Sequence, residues 1–494
     1  MMIFSTVKSY EERKKSDLLV VPYVQVKKKP AAFAGIKGLP KEIELPLDLN
    51  DFKGKEGEVL FLYHHGSNEK RIALVGLGDE SKLNHEKYRR AFAALARTCL
   101  FKKITNMNIV LPKKIDQAAL RGLCEGILSV NYVFENLKGK DEEREPTVFI
   151  EHVNLIGADK KQLDMAHDLE KTYEGVYLAR DLVNGNADDV TPQFLCQVAK
   201  GFSAEFSHVT TTIFDKKRLE KEKMGLLLAV SRGSHTEPAL IIVEYNGNKK
   251  SKDRTALVGK GVTYDTGGLN LKPTGSMETM KCDMGGAAAV LGALYAAMKL
   301  ELPVNLIGVI PTTENSIGCL SYKPGDVYTS YSGKTVEIGN TDAEGRLILA
   351  DAISYAVKHF EPTRMIDLAT LTGAIDVALG NEASGLFSNN QKLANQLIQA
   401  GEDTYERVWQ MPMYEEYREG LKSDVADIRN IGGRAGGSIT AAKFLEEFVG
   451  KKTPWAHLDI ASTAYHSDVK KYHPKFGTGI GVRLLIEFLS GLRT

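Results

Sequence analysis

Asp342, Glu344 and Arg346 stand at alternate positions of NTDAEGRL (340–347), between a strand-like run and a helix-like one. In an extended segment, side chains two apart share a side, which would aim two carboxylates and a guanidinium at one spot. Carboxylates that close repel, and at least one pKa rises unless a cation lies between them. The stretch therefore asks for a metal. Two further stretches carry matching groups. In VGKGVTYDTGGLNLKP (258–273), Lys260 and Asp265 lie at and beyond the carboxyl end of a buried strand, TALVG. Gly267 and Gly268 there allow backbone conformations barred to other residues. In MKCDMGGAA (280–288), Asp283 precedes a helix of small residues, where it can cap the helix or bind a ligand.

Taken singly, each acid has an ordinary reading as a cap, turn residue or ion-pair partner. Together at strand ends they read as one site. Asp265, Asp283, Asp342 and Glu344 carry negative charge that two divalent cations would cancel, the stoichiometry of a co-catalytic pair with ions roughly 3.5–4 Å apart. These stretches contain no histidine, and oxygen ligands suit Zn, Mn, Co or Mg more than copper. Lys260 is either an ion-pair partner or, deprotonated beside a metal, an uncommon ligand.

Other chemistries drop out. YHHG (63–66) holds no H-E-x-x-H, and AVSRG (229–233) has Ala229 where a nucleophile elbow needs glycine, which makes Ser231 a poor nucleophile. YSGKT (331–335) ends like a phosphate loop but has Tyr328 at the first glycine position, and LVGLGDESK lacks the third glycine of a dinucleotide fingerprint after Gly76 and Gly78. His457, in WAHLDIA, reads as a satisfied core histidine.

The elements that must position these residues alternate along the chain. Residues 1–160 alternate strand-like runs (DLLVVPYV, EVLFLYHH, KRIALVGLG, NMNIVLP, TVFIEHVNLIG) with helix-like ones, giving a smaller N-terminal α/β domain. KGKDEEREP (138–146) reads as a surface loop within it, and VKKKP (26–30) as a solvated loop. From 161, a long amphipathic helix links to a larger domain running to 494, in which LIIVEY, TALVGKG, VNLIGVIP, RMIDLATL and WAHLDIA alternate with Ala- and Gly-rich helices. That alternation predicts a doubly wound, mostly parallel sheet, with ligands beyond its strand carboxyl ends.

The chain has 494 residues, 43% hydrophobic and 26% charged, globular values that suit two domains. No apolar run approaches the roughly 18 residues of a membrane span, and the first residues lack the apolar core of a secretory signal. Five widely spaced cysteines without a C-x-x-C pair suit free thiols in a reducing compartment, so a cytoplasmic location is expected. A net charge of +1 argues against nucleic acid or anionic lipid as a partner.

These stretches closely resemble the leucyl aminopeptidase family, also called cytosol aminopeptidases, which are dinuclear metallopeptidases. The resemblance covers about 180–490 and includes LKSDVADIRNIGG, AGGSITAAKFL and WAHLDIASTAY. It implies that Lys260, Asp265, Asp283 and Glu344 hold one metal and Asp265, Asp342 and Glu344 the other, the ions being Zn or Mn. It implies further that Lys272 contacts the substrate carbonyl and Arg346 holds a bicarbonate acting as general base. Met280, Thr370 and Gly373 would border the pocket for the first side chain, although ATLTGA also reads as core packing. The activity implied is release of N-terminal amino acids, leucine and other apolar residues among them, by a homohexamer. Some members of the family are implied to act also on DNA, a rival reading that the near-neutral charge weakens.

Overall fold

The computed structural model describes residues 2–32, 39–66, 68–112, 115–139 and 146–492. Most of the loop expected at 138–146 therefore lies outside the described residues. The chain divides into two compact units: Met1–Tyr173 with Asp468–Lys475, and Glu174–Ser467 with Phe476–Thr494. The helix Lys160–Asn184 contains the point of division.

The first unit is built on a seven-stranded sheet whose main path runs Ile3–Val7, His152–Ile156, Asn106–Val110, Leu18–Val26, Arg71–Asp79, Val59–Tyr63, with Lys29–Ala32 beside Leu18–Val26. The VKKKP tract turns a hairpin: Lys27 and Lys28, at φ 50° and 66°, join two antiparallel strands, the left-handed pair that a tight two-residue turn requires. LVGLGDESK is a plain strand-to-helix connection, leading through a short 3₁₀ turn to the Asn84-capped helix His85–Phe101.

The second unit holds a nine-stranded mixed sheet. Across it run Val408–Gln410, Ser384–Ser388, Trp455–Asp459, Arg364–Ala369, Thr255–Gly259, Asn305–Asn315, Ala239–Asn246 and Val209–Phe214, with Gly261–Asp265 paired to the far end of Asn305–Asn315. The central pairings are parallel and those near the Val209–Phe214 edge antiparallel. Every residue of Thr255–Gly259 and Trp455–Asp459 is buried, as strands covered on both faces must be. Ala256, Val258, Ile307 and Val309 share one core with Leu347 and Ile353 of the helix Gly345–Phe360 and with Phe444 and Leu445 of Gly437–Val449. The helix Gly285–Lys299 packs on Thr255–Gly259 and Arg364–Ala369. Both units are α/β, and no helix among the described residues is long and apolar enough to cross a membrane.

Candidate metal centre

Parallel strands put their carboxyl ends on one edge, and five side chains gather there. Lys260 follows Thr255–Gly259, Asp265 ends Gly261–Asp265, Asn315 ends Asn305–Asn315, Thr370 follows Arg364–Ala369, and Asp459 ends Trp455–Asp459. This is the edge at which open α/β sheets bind ligands.

Lys260 lies at the centre. Its ammonium is 2.8 Å from Asp283 Oδ1, 2.8 Å from Glu344 Oε1 and 2.8 Å from the Thr370 carbonyl. The side chain reaches them by passing Gly345, where a Cβ would fall 2.6 Å from Lys260 Cε. A larger residue after Glu344 would force the Lys260 side chain to shift. Lys272 forms a second bridge, 2.8 Å from Asp265 Oδ2 and 2.6 Å from Asp342 Oδ1. It arrives on a loop that turns at Gly267 and Gly268, with φ of +85° and +64°, conformations that favour glycine.

NTDAEGRL is not extended. Thr341 and Asp342 form a turn, and Glu344, at φ −79° and ψ −35°, already has helical backbone before Gly345–Phe360. Alternation therefore does not align the three side chains; the turn does. Asn340 Oδ1 accepts the Asp342 N–H at 2.8 Å. Thr341 Oγ1 donates to the Gly267 carbonyl at 2.6 Å, which ties this turn to the Lys272 loop. With the fold so constrained, Asp265, Asp342 and Glu344 each present a carboxylate oxygen within 4.8 Å of the others.

Asp283 caps no helix: it sits in the 3₁₀ turn Met280–Met284, and the following helix has no side-chain cap. Its Oδ1 receives Lys260 and the Thr370 hydroxyl, the latter at 2.8 Å. Thr370 thus commits its hydroxyl to Asp283. Met280 is half-buried, and Gly373 opens the short helix Gly373–Leu379 with clear space where a side chain would be.

Burial raises the carboxyl pKa values of Asp265, Asp283 and Asp342, and the charge of Glu344 on the first two and of Asp265 on the third adds to it. For Lys260, burial acts to lower the pKa, but Asp283, Glu344 and Asp265 outweigh it and hold the ammonium above its usual range. Two ammoniums against four carboxylates leave an excess of negative charge. Two buried oxygens, Asp283 Oδ2 and Glu344 Oε2, have no hydrogen-bond partner. An unpaired buried oxygen on an acid is costly, and a divalent cation is the partner that suits both the atoms and the charge. The residues present therefore fit a metal centre.

Arg346 points elsewhere, donating from Nη1 to the Asn430 carbonyl at 2.9 Å. Burial brings its pKa down to about 10, with Glu344 and Asp459 opposing, so it stays charged at neutral pH. Its buried Nε has no partner, a spare donor suited to an anion.

Several supporting residues carry no local sequence signal. Asn315 donates to Asp265 Oδ1 at 2.7 Å and to the Thr341 carbonyl at 3.0 Å. Asn430 Nδ2 donates to the Asn340 carbonyl at 2.8 Å, while its Oδ1 accepts the Gly339 N–H at 2.8 Å. Tyr322 donates to the Thr341 carbonyl at 2.7 Å. Only contact with the ligand-bearing loops marks them out. Ser231 is buried and donates to the Leu228 carbonyl, in keeping with its exclusion as a nucleophile. His457 is wholly buried with Nδ1 2.6 Å from Asp367, but its Nε2 has no partner, so it is satisfied on one side only.

Comparison with known proteins gives the family. The pattern of the cytosol aminopeptidase family, catalytic domain, matches residues 177–486, and that of the same family's N-terminal domain matches 20–141. A probable cytosol aminopeptidase of Protochlamydia amoebophila is 54% identical over 494 residues, covering 99% of each chain. One of Chlamydia abortus is 46% identical over 499 residues, again covering 99% of each. Among solved structures, the bottromycin maturation enzyme BotP in complex with Mn superposes with a TM-score of 0.85 at 30% identity, covering 97% of this chain and 100% of that one. From residues, geometry and relatives together, the chain belongs to the cytosol aminopeptidase family.

Proposed function

We propose that this peptidase is a metal-dependent exopeptidase releasing N-terminal amino acids, leucine and other apolar residues among them, from peptides. The observation that carries the reading is the pair of partnerless buried oxygens, Asp283 Oδ2 and Glu344 Oε2, in a cluster whose acids outnumber its ammoniums. Asp265, Asp283, Glu344 and, as a neutral amine once the ion's charge displaces its proton, Lys260 would hold one divalent ion, and Asp265, Asp342 and Glu344 a second. Zn or Mn is proposed, the latter supported by the Mn complex of BotP. When bound, such ions supply a water nucleophile at neutral pH and polarise the peptide carbonyl.

The chain's own groups do the rest. Lys272, released from Asp265 and Asp342 when cations take those oxygens, would place its ammonium against the substrate carbonyl oxygen and stabilise charge developing there. Arg346 would hold a bicarbonate that accepts the proton of the attacking water. Met280, Thr370 and Gly373 would border the first side chain, with Thr370 offering its methyl because its hydroxyl is committed to Asp283 and its carbonyl to Lys260. The free α-amino group of the substrate would fix the cut one residue from the chain end. A cytoplasmic homohexamer is the proposed setting, on the family resemblance.

The test is hydrolysis of a panel of aminoacyl amides alongside their N-acetylated counterparts. Release from free leucine and other apolar amides with resistance of the acetylated forms supports the reading. Comparable rates on both would mean an endopeptidase or a different hydrolase.

A further inference from the structure

Asp459 is fully buried at the carboxyl end of Trp455–Asp459, level with Ala369 on the neighbouring strand. Its carboxylate is held by neutral donors: the Leu371 N–H at 3.0 Å and the Ala461 N–H at 3.2 Å on Oδ1, and the Thr372 hydroxyl at 2.7 Å on Oδ2. The Thr372 oxygen in turn accepts the Ile375 N–H at 3.2 Å, capping Gly373–Leu379. The hydroxyl proton is thus given to Asp459 and the lone pair to the helix.

One residue earlier, the same segment faces the metal centre. The Thr370 carbonyl accepts from Lys260 Nζ at 2.8 Å, and the Thr370 hydroxyl donates to Asp283 Oδ1 at 2.8 Å and to the Asp283 carbonyl at 3.1 Å. Three successive residues therefore connect Asp459 to Lys260 and Asp283. Asp459 feels the charges of His457 and Arg346, but its hydrogen-bond partners are all neutral, and a buried carboxylate held in that way is costly for a fold. An asparagine could serve the Oδ1 side, but it would turn an NH₂ toward the Thr372 hydroxyl. Only a carboxylate accepts on both sides of the elbow.

We propose that Asp459 is a positioning residue which, through the 370–372 elbow, fixes Lys260 and Asp283 and so sets the affinity of the one metal position those two residues share. This rests on the reading above that Lys260 and Asp283 hold an ion. Ligand-orienting partners outside the ligand set typically change metal affinity about 10- to 100-fold. The second position shares Asp265 and Glu344 with the first but takes Asp342 in place of Lys260 and Asp283, and with Asn315 holding Asp265 and Thr341 tying the Asp342 turn to the 267–272 loop it should be affected less.

The test is calorimetric titration of Mn²⁺ into the chelator-treated full chain, with thermal unfolding of each metal-free protein alongside. Asp459→Asn should weaken one binding event by about 10- to 100-fold and the other by much less. Thr372→Val, which removes only the donor to Oδ2 and the cap, should weaken the same event, and Thr372→Ser should restore it. The Thr372 pair keeps the proposal testable where Asp459→Asn does not fold. Two unchanged events in Asp459→Asn or Thr372→Val would overturn this proposal alone, and so would equal weakening of both together with a lower melting temperature of the metal-free protein. A wild-type chain that binds no Mn²⁺ or Zn²⁺ would overturn both this proposal and the reading of the site.

Discussion

Lys260 Nζ lies 2.8 Å from Glu344 Oε1, and Lys272 Nζ lies 2.8 Å from Asp265 Oδ2, so two lysines divide the acidic cluster between them. They differ in surroundings: the Lys260 side chain is 3% exposed and that of Lys272 15%. The buried lysine is placed to stay with the ligands and the more open one to meet a substrate.

Replacing the two should therefore have different effects. Lys260→Ala is expected to lower metal occupancy, measured by elemental analysis after gel filtration. Lys272→Ala should retain its metal and lose about 100- to 1000-fold in rate, the scale of removing one oxyanion donor. Equal metal loss in both variants would reject the division of roles.

Glu344 and Arg346 should also separate, although two residues apart. Glu344→Gln removes a carboxylate charge from the cluster and is expected to lose metal and activity together. Arg346 bonds to the Asn430 carbonyl and to none of the proposed ligands. Arg346→Ala should keep its metal, slow about 100- to 10,000-fold as general-base contributions do, and no longer respond to added bicarbonate. Metal loss in Arg346→Ala would make the arginine a support for the ligands and remove the anion role.

A third prediction concerns stability. Asp351 is wholly buried and accepts the N–H groups of Leu226, Leu227 and Tyr331 at 2.9, 3.0 and 2.7 Å. Burial pushes its pKa up to about 7 from 3.8, against those three bonds. Between these values the folded chain holds a proton that the unfolded chain has lost, so this group's contribution falls as pH rises through the window. Asp351→Asn cannot ionise and presents an NH₂ to one set of donors. Its deficit relative to wild type should be largest near the lower end and narrow by at most about 1.4 kcal/mol per pH unit toward neutrality. Denaturant melts of both proteins across that range check this; a constant difference would place the Asp351 titration outside it.

Much of the architecture was legible because buried parallel strands and their helices write long apolar patterns. TALVG, VNLIGVIP and WAHLDIA are all strands, and the run from 160 is one helix. Short elements with little periodicity, such as Ile3–Val7, Ser384–Ser388 and Val408–Gln410, were not. The three stretches that carry the acids stand out in the sequence, but only Asp265 ends a strand: Asp283 lies in a 3₁₀ turn, and an Asx turn at Asn340, not an extended alternation, brings Asp342 and Glu344 together. Asn315, Asn430 and Asp459 could not be found locally, because the site loops they hold lie between 26 and 91 positions away. Such partners exist only once the sheet has formed.

The central claim is that the carboxylate cluster works only with divalent ions in it. Chelator-treated protein should be titrated with Mn²⁺ or Zn²⁺ while leucine release from leucine amide and metal content are followed together. Hydrolysis should be absent at the start and rise as the content approaches two ions per chain; full hydrolysis by the metal-free chain would contradict the account.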